Sequence, residues 1–176
     1  NYAASGGYYI SCMANKIVAQ PNTITGSIGI FGIIPNMAKL YDKIGVSFDG
    51  VKTHSMSDSY SSERGMTESE FAKMQAHINS GYELFVRRCA TGRNMPVDSL
   101  KKFAEGRVWT GIDAKNIGLV DVLGGIRTAI DEAATLANIS TYSVMSIKPG
   151  SGTTSKSLVG TVSNEIEKNI MNSDAI

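Results

Sequence analysis

Phe71, Met74, Ile78, Tyr82, Phe85 and Cys89 follow one another at steps of three and four residues, the spacing that brings side chains onto one face of an α-helix. Directly before them, Thr67-Glu68-Ser69-Glu70 has the T-x-x-E form of a capping box, in which two backbone donors at a helix start are satisfied reciprocally. A long helix with one apolar stripe must bury that stripe against other elements, and the remaining sequence offers short ones. Ile17-Val18-Ala19 runs into the turn Gln20-Pro21-Asn22, and Gly26 to Gly32 reads as a glycine-punctuated strand whose glycines mark a bend or a close backbone approach. Val46–Val51 and Tyr142–Ile147 read as further strands, and Leu119-Val120-Asp121 as a strand tip. Helices are expected over Ser5–Ala14, from a cap at Asn36 to Lys43, from Pro96 to Phe103, after Thr110, and over Gly125–Ala137. Short apolar strands alternating with helices imply an α/β fold with a largely parallel sheet.

The 176 residues, 42% of them hydrophobic, suffice for one domain with a sizeable core. A formal net charge of +1 gives no electrostatic reason to propose nucleic acid. The longest apolar stretch, Ile28–Ile34, is broken by Gly29 and Gly32 and falls short of a membrane span. Cys12 and Cys89 are expected as buried thiols, and with His54 and His77 they fail every zinc-ligand spacing, so neither a metal nor a cofactor is expected. His54–Gly65 is rich in serine and reads as an exposed loop. Residues 1–148 are expected to form the domain. Pro149–Ser157 has a linker composition, and residues 149–176 read as linker and tail. The sequence starts at Asn1 with no methionine and Tyr2-Ala3-Ala4-Ser5-Gly6-Gly7 reads as the middle of an element, so the chain is expected to be part of a longer protein.

Ser5 is the residue most suited to chemistry. It lies between Ala3-Ala4 and Gly6-Gly7, where a helix begins. A hydroxyl there is exposed, the first N–H groups of a helix lack partners, and small neighbours let a substrate carbonyl approach. A cap or turn serine is the alternative reading. His54 and His77 read as surface or half-buried residues. Ala3-x-Ser5-x-Gly7 echoes the nucleophile elbow of α/β-hydrolases, yet no histidine follows His77. Ser99-Leu100-Lys101-Lys102 matches S-x-x-K without its companion motifs, and the Gly26 region lacks the lysine of a phosphate loop.

Ala3-Ala4-Ser5-Gly6-Gly7-Tyr8-Tyr9 resembles the nucleophile motif of the signal peptide peptidase A (protease IV) family of serine peptidases. The resemblance continues in order through Lys16–Ala19, Thr25–Gly29, Met66-Thr67, Gly106–Gly111 with Ala114, and Gly118–Asp121 with Leu123-Gly124. It implies a crotonase/Clp protease-like fold of repeated β-β-α units, here N-terminally truncated, that assembles into a homo-oligomer. It also implies a Ser–Lys dyad in which Ser5 is the nucleophile, a desolvated neutral lysine is the base, and the Gly6 N–H is an oxyanion donor. The implied substrates are cleaved signal peptides and other hydrophobic peptides. The implied location is the bacterial inner (cytoplasmic) membrane, with the catalytic part on the periplasmic side and the anchoring segment outside this chain.

The position of the base in short, single-unit members is occupied here by Ser57, which cannot accept the proton, and Lys52 stands too early in the loop. Long members carry serine and lysine in different tandem halves. The chain is therefore expected to be the C-terminal half of a long member, with its base and a glycine-rich oxyanion segment elsewhere. Two other readings remain open at the level of sequence: a non-catalytic half used for assembly, and a crotonase-type acyl-CoA enzyme.

Overall fold

The computed structural model of the chain describes residues 2–145, and the expected linker and tail lie outside them. The elements are β1 (Tyr2–Ala4), α1 (Gly6–Ser11), β2 (Val18–Ala19), β3 (Ile24–Gly26), α2 (Ala38–Lys43), α3 (Glu68–Gly92), α4 (Val97–Lys101), β4 (Val108–Thr110), α5 (Gly111–Asn116), β5 (Val122–Leu123) and α6 (Ile126–Ala137). β1 and β3 pair in parallel, β3 and β4 antiparallel, and β2 and β5 form a separate parallel pair. The class is mixed α/β. Residues up to Ala133 form one compact unit, and a second begins at Ala134, within α6.

The core of the first unit is the packing of α1 and the C-terminal half of α3 with α4, α5 and the β2–β5 pair. Tyr8, Cys12, Val86, Cys89, Leu100, Ala114 and Leu119 are buried there. The Tyr8 hydroxyl donates to the Leu119 carbonyl at 2.9 Å, which satisfies the one polar atom that α1 carries inward. Both cysteines are free and buried, and burial pushes the Cys89 thiol up. Arg93, at the end of α3, reaches Asp121 at 2.6 Å, and Asp121 also accepts from the Ile17 N–H at 2.7 Å. One carboxylate thereby ties the entry of β2 to the entry of β5.

The helix starts agree with the sequence where capping chemistry governs them. Thr67 and Glu70 form the expected capping box, and the Thr110 hydroxyl accepts from the Asp113 N–H at the start of α5. The stripe on α3 is buried only toward its end. Phe85, Val86, Cys89 and Ala90 enter the core, whereas Phe71 is 61% exposed. Strands were harder to locate. The expected strand over residues 26–32 ends at Gly26, because Gly26 (φ 76°) and Ser27 (φ 51°) break the pleat. Val46–Val51 forms no strand; Phe48 instead packs edge-on against Tyr41, with ring centroids 4.7 Å apart. The ladder expected at Leu119–Asp121 lies at Val122–Leu123. Residues 142–145 form no strand, and 146–147 lie outside the described residues.

The serine-rich loop is tied down by charge. Arg64 sets its fork on Asp58 (2.9 Å) and Glu70 (2.6 and 2.8 Å), Lys52 pairs with Asp58 at 2.6 Å, and Ser59 donates to Glu70 at 3.0 Å. Glu70 is 3% exposed. The Arg64 guanidinium holds the Glu70 carboxyl well below the usual carboxylate range, and Arg64 followed by Lys52 does the same for Asp58. A depressed folded-state value contributes stability that is complete above the ordinary carboxylate range and lost as pH falls through and below it. Arg64→Met should therefore lower the thermal midpoint at neutral pH, and the gap from wild type should narrow below about pH 4. Melts recorded from pH 7 to pH 3 check this. A gap independent of pH would show that the cluster does not act through these charges.

Candidate active site

Ser5 stands where β1 ends and α1 begins, and its backbone is held on both sides. Its N–H donates to the Gly26 carbonyl at 2.9 Å, extending the β1–β3 pairing by one bond, and its carbonyl accepts from the Tyr9 N–H at 2.8 Å, opening the helix. Between these anchors the residue takes φ 53° and ψ −116°, a conformation that L-residues with a side chain avoid. Its hydroxyl makes no cap hydrogen bond to α1, so a capping role does not explain a serine here. The side chain is exposed at the mouth of a cleft of about 560 Å³, within the size range of small-ligand and side-chain pockets.

Three segments build that cleft. Ser27–Phe31 leaves the end of β3, Glu105-Gly106 leads into β4, and Gln75, Ile78, Asn79 and Tyr82 come from the middle of α3. The first two segments run together through the bonds Ser27 N–H to Arg107 carbonyl (2.8 Å) and Gly106 N–H to Ile28 carbonyl (3.0 Å). Glycine is needed where they touch. A Cβ on Gly29 would come within 2.7 Å of the Gly106 nitrogen, and one on Gly26 within 2.7 Å of the Trp109 ring. Glu105 also has a positive φ, 61°. Six described non-glycine residues have positive φ. Of these, Asn94 and Asn138 follow helix ends, where asparagine is ordinary, while Ser5, Ser27 and Glu105 all line this one cleft. Strain gathered at one place is a mark of functional sites.

The lining is mixed. Ile30, Phe31, Ile78 and Tyr82 give it apolar surface, and Gln75, Asn79 and Glu105 give it polar groups. Desolvation lifts the Tyr82 phenol above its ordinary value, and the Glu105 carboxylate adds to the shift, so the phenol stays neutral. Gly6 follows Ser5, and a Cβ placed on it would meet nothing within 4 Å. The space on the side-chain side of Gly6, the residue next to Ser5, is therefore open. No group of three His, Cys, Asp or Glu among the described residues is arranged to hold a metal ion.

A model of Peptidase family S49 matches residues 1–140. The chain belongs to that family. It is 45% identical over 137 residues to "Protease 4" of Salmonella typhi, covering 78% of this chain and 22% of that protein. It is 41% identical over 138 residues to "Serine protease SPPA, chloroplastic" of Arabidopsis thaliana, covering 78% and 20%. It is 40% identical over 131 residues to "Putative signal peptide peptidase SppA" of Enterococcus faecium, covering 74% and 38%. The chain thus spans between a fifth and two fifths of the length of these S49 relatives.

The other sequence candidates lie apart from this arrangement. The Lys52 ammonium is committed to Asp58 at 2.6 Å. The Ser57 hydroxyl donates to the His54 carbonyl at 2.9 Å. His54 and His77 are exposed. None of Lys52, His54, Ser57 and His77 lines the cleft. Sequence reasoning missed Ser27, Glu105, Gln75, Asn79 and Tyr82. Gly26 and Gly106 were the available signal, since each flanks one of the strained residues.

The backbone at Ser5 makes a specific prediction for stability. Glycine adopts positive φ without penalty, whereas alanine carries the same Cβ strain as serine. Ser5→Gly should be at least as stable as wild type, and about 1 kcal/mol more stable than Ser5→Ala. Denaturant midpoints of the three proteins test the order, and Ser5→Ala exceeding Ser5→Gly would contradict it.

Proposed function

We propose that the full-length protein is a serine endopeptidase that cleaves hydrophobic peptides, cleaved signal peptides among them, through an acyl-enzyme on Ser5. The observation that carries this reading is Ser5 itself: a strained, uncapped serine at a strand-to-helix turn, opening on a cleft with apolar walls. Oγ attacks the scissile carbonyl carbon, its proton passes to the base, and the tetrahedral oxyanion forms beside the Gly6 N–H. Collapse expels the amine of the leaving peptide, which takes up a proton, and water then hydrolyses the ester. The base is a lysine outside this chain, kept neutral by desolvation. Lys52, paired with Asp58, is unsuited to that task.

The architecture and setting follow the same line. The mixed sheets are assigned to the Clp protease and crotonase class of repeated β-β-α units, the chain to the C-terminal half of a tandem member, and the working form to a homo-oligomer. The relatives named protease 4 and signal peptide peptidase support a membrane-associated setting, which the proposal places at the bacterial inner membrane with the catalytic part outside the cytoplasm. The attachment segment then lies beyond the described residues, none of whose helices is long and apolar enough to cross a membrane.

Peptide turnover by the full-length protein tests the proposal. Ser5→Ala should lower it by on the order of 10⁴-fold while the protein stays folded, and Ser57→Ala should leave it within about twofold, since a factor of ten would already mean ~1.4 kcal/mol of barrier. The 176-residue chain alone should show no turnover. A loss below tenfold in folded Ser5→Ala, or Ser5-dependent cleavage by the 176-residue chain, would refute the assignment of nucleophile and base respectively.

A further inference from the structure

Glycine inside a long helix is unfavourable, and α3 carries one at Gly81, on the same face as Ile78, Tyr82 and Phe85. The neighbour it admits is Ile30. A Cβ on Gly81 would lie 2.8 Å from Ile30 Cδ1, closer than carbon atoms pack, and apart from the adjacent residues and the helix's own backbone it would meet no other atom within 4 Å. The same segment crosses α3 one turn earlier, where a Cβ on Gly32 would sit 3.7 Å from Ile78 Cδ1. Ile30, Ile78 and Tyr82 all line the cleft beside Ser5, whereas Gly81 does not; it lies behind Ile30.

We infer that Gly81 is a positioning residue that sets the width of the Ser5 cleft, by letting the Ile30 side chain lie down on α3, and that the space so cleared receives a large apolar side chain of the peptide substrate. This rests on the proposed peptidase reading and adds to it a determinant of side-chain size. The physical reason is the freedom left to each partner. The Gly81 backbone is fixed in the middle of α3, so a methyl there cannot retreat. Ile30 Cδ1 is the far end of a flexible side chain, partly exposed at the cleft, and it moves instead. With the helix side closed to it, the methyl occupies the cleft. One methyl in an apolar pocket changes discrimination between substrates by roughly 10- to 200-fold.

The test compares full-length wild type, Gly81→Ala and Gly81→Ala/Ile30→Val on peptides that differ only in one residue, alanine, leucine or phenylalanine, before the scissile bond. Ile30→Val removes the Cδ1 that the new methyl displaces. Gly81→Ala should keep or raise the thermal midpoint, because alanine favours the helix. It should lower kcat/KM for the phenylalanine peptide at least tenfold, mainly through KM, and leave the alanine peptide within about twofold. The double variant should recover most of the loss. An unchanged size profile in Gly81→Ala, an equal loss on all three peptides, or failure of Ile30→Val to rescue would overturn the inference while leaving the peptidase reading intact. Absence of cleavage by wild type on every peptide would instead refute that reading, and the inference with it.

Discussion

The arrangement around Ser5 depends on two backbone hydrogen bonds that hold one residue in a conformation its own side chain opposes. The Ser5 N–H is fixed to Gly26 and its carbonyl to Tyr9. Neither anchor is free to relax. Gly26 is paired through β3 to both β1 and β4, and α1 is locked into the core by Tyr8 and Cys12, both essentially inaccessible to solvent. Strain at φ 53° costs on the order of 1–3 kcal/mol, and burial of a side chain such as Tyr8 is of comparable size. The core can therefore impose the turn. The result is a hydroxyl that makes no cap hydrogen bond to the helix it precedes.

The same economy of backbone space shapes the cleft. Gly26 and Gly29 let two irregular segments lie against each other, Gly106 supplies the positive φ of 76° at that contact, and Gly81 lets one of the segments lie on α3. Side chains larger than hydrogen at positions 26 and 29 would push into the Trp109 ring or the Gly106 backbone. The Gly-Ser-Ile-Gly run and the Gly-Arg-Val-Trp-Thr-Gly run, distant in sequence, are thus two sides of one contact. Trp109 completes it by donating its indole N–H to the Phe103 carbonyl at 3.0 Å.

What was legible in the sequence was whatever local chemistry decides. The capping box at Thr67, the Thr110 cap and the glycine stop at Gly118 appear as expected because each is set by a few adjacent residues. Ser5 and Gly6 stand in a contiguous motif, so the strand-to-helix turn that the structure shows there was legible as well, while their roles in attack and oxyanion binding belong to the proposal. Strands were not, because a strand needs a partner. Val46–Val51 has the right composition and finds no ladder, while Val108–Thr110, read only as part of a motif, becomes β4 by pairing with β3. Glu105 and Tyr82 belong to the cleft through contacts between segments far apart in the chain. The Arg64 cluster was hidden for another reason: a serine-rich loop looks free until one guanidinium is seen to bridge Asp58 and Glu70.

Membership in the S49 family, the uncapped serine and the strained cleft meet in one claim, that the hydroxyl of Ser5 is the attacking group. Covalent labelling tests it more directly than any rate. Full-length protein treated with a fluorophosphonate probe, digested and mapped by mass spectrometry, should carry the label on the Ser5 peptide and lose it in Ser5→Gly, which keeps the backbone of the turn. A label on another serine, or hydrolysis of peptides that persists once Ser5 is fully labelled, would contradict the account.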